Sequence, residues 1–188
     1  DLGSLEKVIS HDISLSTRLL RICNTARYGS RAKIDSIRRA MAVIGMRELK
    51  QWASIIALSR MSDKPSELIT LTLTRARMME LLAQGAKLAN QDIYFTIGMF
   101  SFIDAFFDQN KETILQSLPF NDEVNQALLH YEGSAGKILQ SVAAHEQGHW
   151  DQIDWQALDA SGISQEAFEQ AYMDALCWAA EVMQSLLE

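Results

Sequence analysis

Residues 36–61, SIRRAMAVIGMRELKQWASIIALSRM, decide the fold class. Ser36 offers a side-chain oxygen where a helix would start. Ile37, Ala40, Met41 and Ile44 then recur at the i, i+3, i+4, i+7 spacing that lines one helical face. Gly45 ends that run, since glycine leaves the helical region most readily. A second run over residues 46–61 directs Leu49, Trp52, Ile56 and Leu58 inward. The same pattern extends both ways. Upstream, residues 4–10 carry Leu5, Val8 and Ile9, and Ser14 caps a helix bearing Leu15, Leu19, Leu20, Ile22 and Cys23 that stops at Tyr28-Gly29. Downstream, Pro65-Ser66 opens a long helix to about Leu88, Asp92 caps one over residues 93–107, and Pro119 ends a short one over residues 110–118. Asn121 caps the next through Tyr131, and Gly133 breaks it. Residues 134–146 continue until Gly148 weakens the end, and Ser164 caps a last helix to Leu187. No run alternates with period two and no Asn-Gly or Asp-Gly hairpin signal occurs. The expected class is all-α, with compact multi-helix packing and no fixed-period repeat.

Length and composition bound the rest. A chain of 188 residues buries enough surface to fold without metal or disulfide, and 48% hydrophobic with 22% charged residues is globular composition. Cys23 and Cys177 both lie in apolar helical patterns, which predicts two buried, reduced thiols of a cytoplasmic protein. The N-terminus lacks a basic segment followed by an apolar run, so it is no signal peptide. Residues 93–107 are the most apolar stretch. They are interrupted by Thr96, Ser101 and Asp104, and fall short of the roughly 18 apolar residues of a membrane span. A sequence beginning at Asp1 reads as a piece of something longer. Residues 1–80 hold 14 Lys+Arg against 8 Asp+Glu (+6), and residues 81–188 hold 3 against 16 (−13). Such asymmetry flags an interacting surface, or two halves with differently solvated faces.

Few constellations carry chemistry. His11-Asp12 is an adjacent metal-type pair, but only ten residues precede it to donate a further histidine, which favours a polar helix entrance. Residues 145–149, HEQGH, match the H-E-x-x-H zinc pattern, in which His145 and His149 would share a helical face, Glu146 would act as general base and Glu169 would be a candidate third ligand. Gly148 weakens the helix that must hold them, Trp150-Asp151 suggests that it is ending, and no strand is present to hold an extended substrate. No nucleophile elbow, phosphate loop or Cys-x-x-Cys occurs. Arg21 and Arg27 could lower the Cys23 thiol pKa, but Leu19, Leu20 and Ile22 mark it as a core residue. The basic residues Arg27, Arg31, Arg38 and Arg39 could meet phosphates of nucleic acid or a nucleotide, an acidic protein, or solvent. Without interleaved aromatics beyond Tyr28, base reading is not indicated. The four tryptophans and most phenylalanines read as core, and any left exposed would mark a docking surface.

Residues 9–57, ISHDISLSTRLLRICNTARYGSRAKIDSIRRAMAVIGMRELKQWASIIA, closely resemble the start of HDOD domains, relatives of the HD and HD-GYP phosphohydrolases. The resemblance rests on Asp12, Leu15, Leu19-Leu20, Asn24-Thr25-Ala26, Ser36-Ile37, Ala40 and Ile44-Gly45. The continuation through residues 50–83 and the stretch ALLHYEGSAGKILQSVAAHEQGHW resemble HDOD domains that follow an EAL domain. The resemblance implies one domain over 1–188, with an N-terminal helical subdomain at 1–64 and an HD-like core at 65–188. In catalytic HD relatives a helix brings His and Asp to a metal. Ser101 and Phe102 stand at those positions here, and the helix that would donate the first histidine offers Thr72, Thr74, Arg75 and Arg77. A phenylalanine cannot ligate a divalent cation and a serine hydroxyl does not replace an imidazole. The implied molecule is a non-enzymatic, cofactor-free regulatory module, linked to cyclic di-GMP through an upstream EAL domain. It contacts a protein or that domain, not a membrane or nucleic acid, and self-association is open. The alternatives are a metal-dependent phosphohydrolase or zinc hydrolase using His145 and His149, and nucleotide or nucleic-acid binding through the basic half.

Overall fold

The computed structural model describes residues 17, 19–20, 23–24, 34–59, 64–118 and 120–187. Among them no strand occurs, and the fold is all-α. The chain forms two compact units, residues 1–63 with 184–188, and residues 64–183.

In the first unit, α1 spans Ile37–Ser59 and breaks its helical backbone only at Gly45 (φ 84°, ψ 160°), so the glycine makes a kink between two helical runs. Ser36 caps it as expected, its Oγ accepting from Arg39 N at 3.2 Å. Ile37, Ala40, Met41, Leu49, Trp52 and Ile56 are buried, the inward set that the spacing predicts, and Ile44 is half-buried. Asn24 has a definite task here. Its Nδ2 donates to Leu20 O (2.6 Å) and Ile34 O (2.7 Å), and its Oδ1 accepts from Ile34 N (2.8 Å). One side-chain amide thereby ties a helix end to the segment entering α1. The expected helix over residues 4–10, the His11-Asp12 pair and most of the Ser14-capped helix lie outside the described residues.

The second unit contains α2 (Ser66–Gly85), α3 (Gln91–Phe100), α4 (Ile103–Phe107), α5 (Lys111–Gln116), α6 (Asp122–His130), α7 (Gly133–Glu146), a 3₁₀ turn (Trp150–Gln152), α8 (Trp155–Ala160) and most of α9 (Gln165–Leu187). Its core is built on Met78, Met79, Leu82, Ile97, Ile138, Val142 and Phe168. Helices α2 and α3 cross so closely that a Cβ at Gly98 would lie 2.5 Å from Ala76 Cα. Asn110, Asn121 and Ser164 cap α5, α6 and α9 through side-chain oxygens.

Three expectations change. The helix anticipated over residues 93–107 begins at Gln91, after a left-handed Asn90 rather than an Asp92 cap, and divides at Ser101-Phe102. The division has a visible cause. Lys111 Nζ donates to Ser101 O at 2.6 Å, while Ala105 N, which would serve that carbonyl in a continuous helix, bonds Phe102 O instead. Helix α8, capped by Asp154 Oδ1 on Ala157 N, is one that the periodicity did not announce. Finally, Cys23 is buried but Cys177 is exposed. The inward stripe of α9 is Ala171, Ala175, Trp178, Ala179 and Val182, which leaves Cys177 on the other side of the helix. Among the described residues no helix is long and apolar enough to cross a membrane.

Candidate functional site

The α2–α3 crossing at Ala76 and Gly98 sets Arg75 opposite Ser101. Arg75 is only 6% exposed, so its buried donors need acceptors. Its Nε donates to Glu146 Oε2 at 2.9 Å and Oε1 at 3.3 Å, and its Nη2 also bonds Oε2. Its Nη1 donates to Ser101 Oγ at 3.0 Å, and that hydroxyl donates onward to Gly98 O at 2.7 Å. The Phe102 ring lies against the guanidinium, its centroid 3.8 Å from Cζ. Glu146 comes from the last turn of α7, and its side chain is 6% exposed. Burial pushes the Glu146 carboxyl above its ordinary pKa, and the Arg75 guanidinium offsets this in part.

The structure therefore joins two signals that the sequence presents separately. Ser101 and Phe102, which the resemblance sets at the positions of a metal dyad, meet the glutamate of the HEQGH motif, with Arg75 between them. Thr72 and Thr74 are buried and spend their hydroxyls on carbonyls of their own helix. Arg77 pairs with Glu80 at 2.6 Å. The partnership of Arg75 and Glu146 was missed, although a signal for it exists. Arg75 has no acid three or four residues away on either side, so a buried arginine at that position requires a distant carboxylate.

The histidines of the same motif part company. Helix α7 ends at Glu146 and Gly148 turns left-handed (φ 74°), so His145 and His149 do not share a helical face. His149 is exposed. His145 packs edge-on among Trp150, Phe168 and Tyr172, with ring centroids 4.6, 5.4 and 4.5 Å away, and its buried Nδ1 has no hydrogen-bond partner. Burial lowers its pKa, with nearby Glu169 acting the other way. Among the described residues no three His, Cys, Asp or Glu side chains are grouped to hold a metal.

Burial and the neighbouring Glu48 push the Cys23 thiol up to about 11, the reverse of activation by nearby arginines. Arg27 and Arg31 lie outside the described residues, as does the Arg38 side chain. Arg39 is exposed and 4.0 Å from Asp35. Of the aromatic residues expected in the core, Phe107 and Trp150 are exposed.

A profile of the HDOD domain matches residues 1–110, more than half of the sequence and the part that holds Arg75, Ser101 and Phe102. The chain belongs to the HDOD family. Glu146, which neutralises Arg75, lies beyond the matched segment. This HDOD chain is 34% identical to the Bacillus subtilis protein YuxH over 187 residues, 97% of this chain and 45% of YuxH. It is 32% identical to the cyclic di-GMP phosphodiesterase CdgJ of Vibrio cholerae over 184 residues, 97% of this chain and 42% of CdgJ. It thus spans less than half the length of these curated relatives. No solved structure matches it.

Proposed function

We propose that this HDOD chain is a non-catalytic regulatory module that relays a signal in cyclic di-GMP pathways through contact with a protein or an adjoining EAL domain. The observation that carries the proposal is the Arg75–Glu146 ion pair against Ser101 and Phe102. A metal-assisted phosphodiester cleavage needs lone-pair donors around a divalent cation. At this position the chain offers a phenyl ring, a serine hydroxyl already bonded to Gly98 O, and a carboxylate already neutralised. The guanidinium has no lone pair to give, and a divalent cation about 4 Å from it meets roughly 8 kcal/mol of repulsion at an effective dielectric near 20. The buried pair instead links α2, α7 and the end of α3, which suits a module that presents surfaces. The link to cyclic di-GMP is supported by CdgJ, whose name records a phosphodiesterase and whose length leaves room for another domain. A cytoplasmic location belongs to the same proposal.

Metal content and cyclic di-GMP hydrolysis test it together, on chain purified without chelator. Substoichiometric metal, no turnover and calorimetric binding to an EAL domain are the expected results. Stoichiometric metal that disappears in His145→Ala, with phosphodiester turnover, would reverse the reading.

A further inference from the structure

The solvent face of α9 is apolar where it has no need to be. Met173, Leu176, Cys177 and Ala180 stand at i, i+3, i+4 and i+7 on the side away from the core, with Met173 55% and Leu176 36% exposed. A stripe with that spacing is how a helix meets a second helix. On the Asp174 side of α9 lies an open groove of about 280 Å³, lined by Leu81, Leu82, Ile163, Ala171 and Asp174. The groove gives an apolar side chain of a visiting segment somewhere to enter.

The C-terminal segment that contains α9 carries charge of one sign. Residues 138–188 contain nine Asp+Glu and no Lys or Arg. Of these acids Glu166, Glu169 and Asp174 are exposed on α9 itself. Two copies meeting through this face would set acid against acid, whereas a cationic segment would find complementary charge around an apolar centre. We infer that the outer face of α9 and the adjoining groove form a docking surface for a basic amphipathic helix of a partner, whose apolar face covers Met173 and Leu176 and whose cations meet Glu166, Glu169 and Asp174. The inference rests on the reading of the chain as an interaction module and gives the partner its chemistry.

Cys177 lies in the stripe and reports on it directly, because Cys23 is buried with its thiol raised to about 11. The probe is a synthetic peptide of about five helical turns with leucine on one face and lysine on the other. Its control has the same composition with the leucines spread around the helix. The amphipathic peptide is expected to slow iodoacetamide alkylation of Cys177 about tenfold, and M173E or L176E each to weaken peptide binding at least about tenfold. D174K and added salt weaken it further. Equal protection by the scrambled peptide overturns the proposal, as does binding that M173E and L176E leave unchanged. Slowing of alkylation by protein concentration alone, with a dimer in sedimentation, makes a second copy the occupant and also overturns it. Loss of this surface with no metal uptake leaves the non-catalytic reading standing, and stoichiometric metal with turnover sinks that reading separately.

Discussion

Replacing Arg75 by methionine leaves the Glu146 carboxylate buried with no counter-charge. Removing one partner of a buried ion pair costs about 3–5 kcal/mol, because the remaining charge keeps its desolvation penalty and loses its compensation. The 6% exposure of the Glu146 side chain places this pair in that regime rather than among surface pairs worth about 0–1 kcal/mol. The bond to Ser101 Oγ adds roughly 1 kcal/mol to the loss. Arg75→Met is therefore expected to lower unfolding free energy by about 5 kcal/mol near neutral pH. Arg75→Met with Glu146→Met is expected to recover most of it, since apolar groups of similar volume have no charge to desolvate. The pH dependence has a definite sign. The Glu146 carboxyl pKa in the folded chain is already raised by burial, and removing the guanidinium raises it further. A carboxyl with a raised folded pKa loses stability as pH climbs from the unfolded to the folded value, and the loss is full above the latter. The deficit of the single variant thus shrinks as pH falls towards about 4.3, the unfolded value. Urea melts followed by far-UV circular dichroism at several pH values measure all of this. A single variant within about 1 kcal/mol of the parent would refute the argument, as would a double variant no more stable than the single.

Two further outcomes follow from the same geometry. Gly98→Ala puts a methyl 2.5 Å from Ala76 Cα, which is backbone and cannot rotate aside, so α2 and α3 must separate. A loss of about 1–3 kcal/mol is expected, read as a fall in thermal midpoint, with Gly85→Ala, where nothing lies within 4 Å, as the mild control. His145 has a folded pKa below its ordinary 6.5, so stability is full above that value and is lost as pH falls through it towards the folded value. Nuclear magnetic resonance should place its titration below 6.5, and His145→Phe should flatten the stability profile in that window.

The legible parts of the site and fold share a physical character. Ser36, Asn121 and Ser164 announce their helices because a cap is a contact between residues three apart. The kink at Gly45 follows for the same local reason, as only glycine adopts its φ of 84° without strain. The break at Ser101 escaped the reading because it depends on Lys111 reaching back to a carbonyl ten residues away. Cys177 misled because α9 is apolar around more of its circumference than the core covers.

Sequence alone determined that the chain is helical and which residues of α1 turn inward, properties of spacing that no distant contact is needed to read. The HDOD resemblance implies that Ser101 and Phe102 stand where a metal dyad would be. Only tertiary structure decided what fills that position. Glu146 lies 71 residues beyond Arg75 and in another motif, and the two meet because Gly98 lets α2 and α3 touch while α7 ends beside them. A buried charge states that a partner exists, but packing alone selects which one.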